Sequence, residues 1–157
     1  MDAIRSLLNL FDIANYLPDL TLFSTVAKLV LWALMLVGPV LMLLLGLMYF
    51  MKPPAEANFS WGFRTYFGMG SVEAWRFTQK IAGATWTVLG LALLAISILI
   101  SNQFPGMEPM AMLDKAVTCI LWQIGLIFVF IVLINLVVTV RYDRNGDLRS
   151  EKRKNKK

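Results

Sequence analysis

Three long runs without a charged residue constrain this chain more than any other feature of its sequence. They cover Leu29 to Met51, Ile81 to Ile100 and Ala116 to Val140. A helix rises about 1.5 Å per residue, so about 20 apolar residues cross a bilayer, whereas barrel strands alternate in polarity over about 10 residues. The runs therefore predict an all-α integral membrane protein with three transmembrane helices, at about 26–51, 76–101 and 114–140.

The composition argues against catalysis. Of the 157 residues, 58% are hydrophobic and 16% are charged, whereas about a quarter of a soluble domain is charged. Histidine is absent and Cys119 is the single cysteine, which removes the commonest general base and any internal disulfide. Neither paired carboxylates nor a phosphate-binding loop is visible. We expect neither an enzyme nor a bound cofactor.

The positions of the basic residues predict the orientation. Twelve of the 15 Lys and Arg residues lie in the first connection, the start of the second span and the tail, and three lie in the N-terminal segment and the second connection. The positive-inside rule places the side with more basic residues in the cytoplasm. The N-terminus is then outside and the C-terminus inside.

Two segments flank the membrane domain of residues 23–140. Within residues 1–22, apolar residues recur at helical spacing, which predicts an amphipathic helix in the outer headgroup plane, with a lid over a ligand site as the alternative. Residues 141–157 form a basic tail, suited to anionic lipid or an acidic protein partner and without the folded motif that direct nucleic-acid binding uses. The sequence 143–147 resembles a calcium loop, but Leu148 and Lys154 occupy the positions that need Gly and Glu, so a polar turn is expected.

Several residues inside the runs predict packing. Pro39, after Gly38, predicts a kink in the first span. Small residues of the second span allow close helix contact: Ala82, Gly83, Ala84 and Gly90. Gln123 and Asn135 in the third span need polar partners within the bundle, and we expect both to join helices. Twelve residues apart, they differ by about 120° around the helix and are not expected to form one site.

The first connection, Lys52 to Gly70, is rich in aromatic residues and glycine. Ser71 is a candidate N-cap, with Glu73 in the first turn, and a helix from there would continue into the second span. Arg64 lies among the aromatics, so we expect it to be partly buried and paired with Glu73. Two solvated charges are the alternative.

This connection resembles the signature of the SdpI-like bacterial membrane protein family. The matching residues are Asn58, Gly62, Phe63, Arg64, Thr65, Met69, Ser71, Glu73, Trp75, Arg76, Phe77, Lys80 and Gly83. The resemblance implies an immunity or signal-receptor protein of the bacterial cell membrane, which gives resistance to a peptide toxin met outside and engages a cytoplasmic regulator. A structural or assembly subunit of a membrane complex is the alternative. A transporter or channel is less favoured because no ionisable residue lies mid-membrane, with a pore lined by Gln123 and Asn135 of a homo-oligomer as the form that stays open.

Overall fold

The computed structural model describes residues 20–57 and 61–154, with side-chain surroundings from residue 25 onward. Three long helices follow one another: α1 (Leu20–Met51), α2 (Val72–Ser101) and α3 (Pro109–Arg141). A short helix, α4 (Arg149–Lys154), follows. No strand occurs in these ranges, where one isolated bridge joins Tyr142 to Leu148. The predicted all-α, three-helix architecture is confirmed.

All three helices are long and apolar enough to span a bilayer, and most of their surface faces outward. In the most apolar 18-residue stretch of α1, α2 and α3, only 22%, 28% and 17% of the stretch, respectively, is buried within the chain. Large exposed side chains include Leu99, Leu121 and Phe128. Because a soluble protein rarely exposes apolar patches of this extent, a lipid bilayer is the environment in which this surface is stable.

Glycines bring α1 and α2 into backbone contact. A Cβ on Gly83 would lie 2.6 Å from the Phe50 nitrogen, and one on Gly46 would lie 2.5 Å from the Thr87 nitrogen. A Cβ on Gly90 would lie 2.8 Å from the Leu43 nitrogen. Since lipid tails provide no hydrophobic drive between helices, close packing at small residues holds such pairs together. The predicted role of the small residues of the second span is confirmed for Gly83 and Gly90.

Helix α3 packs less extensively against this pair, and a buried amide joins all three helices. Nε2 of Gln123 donates to the Met35 carbonyl oxygen of α1 (3.1 Å) and to Oγ of Ser97 in α2 (2.9 Å). Gln123 therefore joins the helices as expected. Asn135 does not, because its Nδ2 donates to the Ile131 carbonyl oxygen one turn earlier in α3 (2.9 Å). Our expectation for Asn135 was wrong because a backbone acceptor of its own helix was within reach.

The remaining predictions fall on α1 and the N-terminal segment. Helix α1 continues through Pro39, which is fully buried, and the kink stays a prediction. The amphipathic segment expected over 1–22 lies outside the described residues as far as position 19, and its last three positions belong to α1.

Candidate functional site

The first connection and the turn after α3 fold together over the start of α2 into a compact structure, which we call the cap (residues 61–71 and 142–148). Ser71 organises its centre. Oγ of Ser71 accepts from the Ala74 N–H (3.1 Å), which makes it the N-cap of α2, and donates to the Gly146 carbonyl oxygen (2.8 Å). Glu73 lies in the first turn. The predicted N-cap and the unbroken helix into the second span are confirmed, and one hydroxyl joins the two halves of the cap.

A buried glutamine holds the cap loop by its backbone. Gln79 is fully buried; its Nε2 donates to the Phe63 carbonyl oxygen (2.7 Å), and its Oε1 accepts from the Phe63 N–H (2.8 Å). A neighbouring β-strand would form the same pair of hydrogen bonds with the backbone N–H and carbonyl oxygen of Phe63. It satisfies two backbone groups that would otherwise be costly to bury, and it fixes the loop against α2.

Trp75 supplies the apolar floor under the same loop. Its ring is fully buried, and its Nε1 donates to the Pro54 carbonyl oxygen (2.9 Å). Gly62 passes directly over the ring with a φ of +112°, and a Cβ there would lie 2.7 Å from Trp75 Cζ2. Both the left-handed backbone and the close approach require glycine at this position.

Thr65 closes the turn that follows. Its side chain is buried, and its Oγ1 accepts from the Gly68 N–H (2.9 Å). A Cβ on Gly68 would collide with the hydroxyls of Thr65 and Thr78. The Gly-x-Arg-Thr part of the motif is thus a packing motif in which the arginine alone points outward.

The turn after α3 forms the second half of the cap. Oδ1 of Asp143 accepts from the N–H groups of Asn145 (3.0 Å) and Asp147 (2.9 Å), and Lys152 bridges Asp143 and Asp147. The expected polar turn is confirmed. Gly146, at a φ of +78°, lies against the backbone of Gly70 and Ser71 so closely that a side chain would not fit.

Tyr142 joins the turn to the start of α2. Its ring is almost fully buried, and its hydroxyl donates to Oε1 of Glu73 (3.5 Å). Burial raises the pKa of the Tyr142 hydroxyl above its usual value, Arg141 opposes this shift, and Glu73 adds to it. Glu73 therefore contacts the end of α3, a partner that the sequence did not suggest.

Arginines lie over aromatic rings of the cap and of the first turns of α2. The guanidinium carbon of Arg141 lies 4.2 Å from the centre of the Phe77 ring. Those of Arg144 and Arg149 lie 5.5 Å from the Tyr66 ring and 5.8 Å from the Phe67 ring. Each distance is within the range for cation–π attraction. Arg141 thus joins α3 to α2, while Arg144 and Arg149 join the segment after α3 to the aromatic rings of the first connection.

The charged residues of the motif remain on the surface. Arg64, Glu73, Arg76 and Lys80 are all exposed. The expected partial burial of Arg64 was wrong, because the residues around it, Phe63 and Thr65, turn inward and leave it outside. Its pairing with Glu73 stays a prediction. Asn58 lies outside the described residues. Gly83 lies below the cap, at the contact between α1 and α2.

The cap thus combines a closely packed interior with a basic, aromatic exterior. Trp61 is 52% exposed and Tyr66 is 66% exposed, beside Arg64. Such a surface suits recognition of an acidic or aromatic partner. In the part of the chain that the structure describes, no group of three metal-ligating side chains comes together.

Sequence reasoning missed Gln79 and Tyr142. A signal for Gln79 exists in hindsight, because Trp75, Gln79 and Ala82 follow each other at helical spacing and are all buried. A polar residue on such a stripe needs a partner. Tyr142 offered no comparable signal, since its contact with Glu73 joins residues 69 positions apart.

Fold and cap together define a class: a three-helix membrane protein whose first connection folds into a cap tied to the end of the third helix. The family model of the SdpI/YfhL protein family matches residues 55–142, more than half of the chain. The match begins before the cap, includes α2 and α3, and ends at Tyr142. The chain belongs to the SdpI/YfhL protein family. Searches of curated proteins and of solved structures returned no match.

Proposed function

We propose that this protein is an immunity or signal-receptor protein of the bacterial cell membrane, which gives resistance to a peptide toxin and engages a cytoplasmic partner through the cap. The observation that carries the proposal is the division of the family motif into two sets. Gly62, Thr65 and Trp75 build the interior of the cap. Arg64, Arg76 and Lys80 remain exposed, although a motif with a purely structural role has no need of three outward-facing cations.

The basic character of this end supports a cytoplasmic position for the cap. Lys and Arg flank the spans mainly on this side, and such residues are retained in the cytoplasm during insertion. A toxin would then be met at the opposite end of the helices. Helix α2 links the two ends without interruption, since it begins at Val72, directly after the cap loop, and ends at Ser101. The protein acts without catalysis and without a cofactor in this proposal.

Protection of sensitive cells tests the function. The full chain is expressed in a sensitive bacterium, which is challenged with a panel of membrane-permeabilising peptide bacteriocins. We expect protection against at least one member of the panel, and loss of protection in the Arg64→Ala and Arg76→Ala variants. Arg153→Ala in α4 is the matched control, because it also removes an exposed cation but lies outside the motif. Trp75→Ala is a poor test, since the ring is buried and its loss would damage the cap itself.

Two results would overturn the proposal. One is full protection by both motif variants at unchanged membrane abundance, and the other is the absence of protection against every peptide of the panel. The orientation is tested separately with Tyr66→Cys, which places a thiol at an exposed site of the cap. A membrane-impermeant maleimide should label it only after the cells are lysed; labelling of intact cells would invert the proposed topology.

Three residues that the assembly-subunit alternative would use to contact a partner already have contacts within this chain, which supports the present proposal over that alternative. Gly83 and Gly90 pack against α1, and Gln123 bonds to α1 and α2. These residues are satisfied within a single chain, and a pore lined by Gln123 would require its amide to give up these bonds.

A further inference from the structure

A groove separates α2 from α3 at the end of the bundle far from the cap. It has a volume of about 470 Å³, which is within the range of sites that hold small molecules, about 300–1,000 Å³. Its walls are apolar: Leu93, Ile96 and Ile100 come from α2, and Trp122 and Leu126 come from α3. The groove is outside the cap and contains none of the motif residues.

The length of the groove corresponds to one leaflet of a bilayer. Along α3 it extends from Asp114 to Leu126, and twelve residues of helix rise about 18 Å. Half of the hydrocarbon core measures about 15 Å. Lys115 immediately precedes the uncharged run that begins at Ala116, so the mouth of the groove lies at the level of the headgroups and its floor lies near the middle of the membrane.

Polar groups are concentrated at the mouth. Asp114 and Lys115 line it side by side, and Nζ of Lys115 donates to Oε1 of Gln103 (2.8 Å). Both charged residues are exposed. At the floor, the amide of Gln123 is already bonded to Met35 and Ser97. The groove therefore offers one positive and one negative group at the surface and an apolar slot below them.

We propose that this groove binds one acyl chain of a phospholipid whose headgroup carries both a phosphate and a primary amine, such as phosphatidylethanolamine. In this proposal the acyl chain of the lipid lies between Ile96 and Trp122. The Lys115 ammonium faces the lipid phosphate, and the Asp114 carboxylate faces the lipid amine. The match of a long apolar slot with a zwitterionic mouth favours this occupant over a second copy of the chain, whose contact would not require paired opposite charges at one end.

Lipid retention tests this proposal. The full chain, purified in a mild detergent, is incubated with equal amounts of phosphatidylethanolamine and phosphatidylglycerol that carry the same acyl chains, and bound lipid is counted by native mass spectrometry. We expect one phosphatidylethanolamine per chain, retained about two- to fivefold over phosphatidylglycerol, as expected for exposed charge pairs. Asp114→Asn should reduce this preference, because only phosphatidylethanolamine carries the amine, whereas Lys115→Gln should weaken retention of both lipids, because both carry the phosphate.

A matched pair of substitutions locates the site. Thr118→Trp introduces a bulky ring into the groove from an exposed position and should abolish retention. Val117→Trp places the same ring at the same depth outside the groove lining and should leave retention unchanged. Circular dichroism of each variant shows that the helices are intact. No retained lipid, equal loss in both variants, retention without headgroup preference, or a dimer that Thr118→Trp dissociates would each overturn the proposal.

Discussion

The two ends of this bundle differ in how closely their helices pack. At the cap end, α1 and α2 touch backbone to backbone at Gly83, and the loop above them has its polar groups paired by Gln79 and Ser71. At the other end, α2 and α3 leave a groove, and Gln123 bridges them at its floor. The comparison indicates that close packing and paired polar groups are concentrated where the family motif lies, while the opposite end keeps space between its helices.

The largest expected effect is at the helix contact below the cap. Gly83→Ala should destabilise the protein by about 3 kcal/mol, because a Cβ there meets the backbone of α1 and overpacking of this kind cannot be relieved by a side-chain rotation. Reversible unfolding in mixed micelles measures the change. Gly125→Ala in α3 is the matched control, since a Cβ at Gly125 has open space around it; it should be neutral or stabilising by up to about 1 kcal/mol. Equal losses would mean that α1 and α2 are not in the close contact described.

The next effect concerns the cap loop. Gln79→Leu should cost about 2 kcal/mol, because it leaves the N–H and the carbonyl oxygen of Phe63 without their buried partner. Limited proteolysis of the connection between α1 and α2 should accelerate as the loop is released. Gln103→Leu is the control, because Gln103 is exposed and bonded only at the surface. An unchanged proteolysis rate in Gln79→Leu would show that the loop is held by its apolar contacts instead.

A smaller effect is expected at the floor of the groove. Gln123→Leu should cost about 1 kcal/mol, in the range found for polar contacts between membrane helices, because it removes the bonds to Met35 and Ser97. Asn135→Leu should cost nothing comparable, since its bond is internal to α3. Unfolding equilibria of the two variants decide between these outcomes. A larger loss for Asn135→Leu would reverse the assignment of Gln123 as the residue that joins the helices.

The smallest effect is at the junction between the cap and α3. Tyr142→Phe should change the stability at neutral pH by less than about 0.5 kcal/mol, because the hydrogen bond to Glu73 is long. The wild-type protein should nevertheless lose stability as the pH rises above about 10, the usual pKa of tyrosine. The folded-state pKa of Tyr142 is raised, so the protonated hydroxyl is favoured in the fold and the stabilisation disappears as the pH passes through that pKa. Tyr142→Phe should lack this part of the pH dependence. The same loss of unfolding free energy above pH 10 in both proteins would contradict the prediction.

Much of the site could be assigned from local sequence signals. Ser71 and Glu73 stand in the order that begins a helix, and the small residues of the second span indicate a close helix contact, which the structure shows for Gly83 and Gly90. The partners could not be assigned in this way. Gln79 forms hydrogen bonds with a residue 16 positions away, and Ser71 with one 75 positions away. Asn135 donates to the backbone of its own helix, although it lies in the same uncharged run as Gln123.

By itself the sequence determined that the chain has three membrane helices, where each lies along the chain and which end is basic, because hydrocarbon admits only long, uncharged, internally bonded segments. The tertiary structure alone decided that Arg64 faces outward while Thr65 faces inward, that the turn after α3 completes the cap, and that a groove opens between α2 and α3. These features depend on contacts between distant residues, and a pattern of apolar runs carries no information about which polar groups meet.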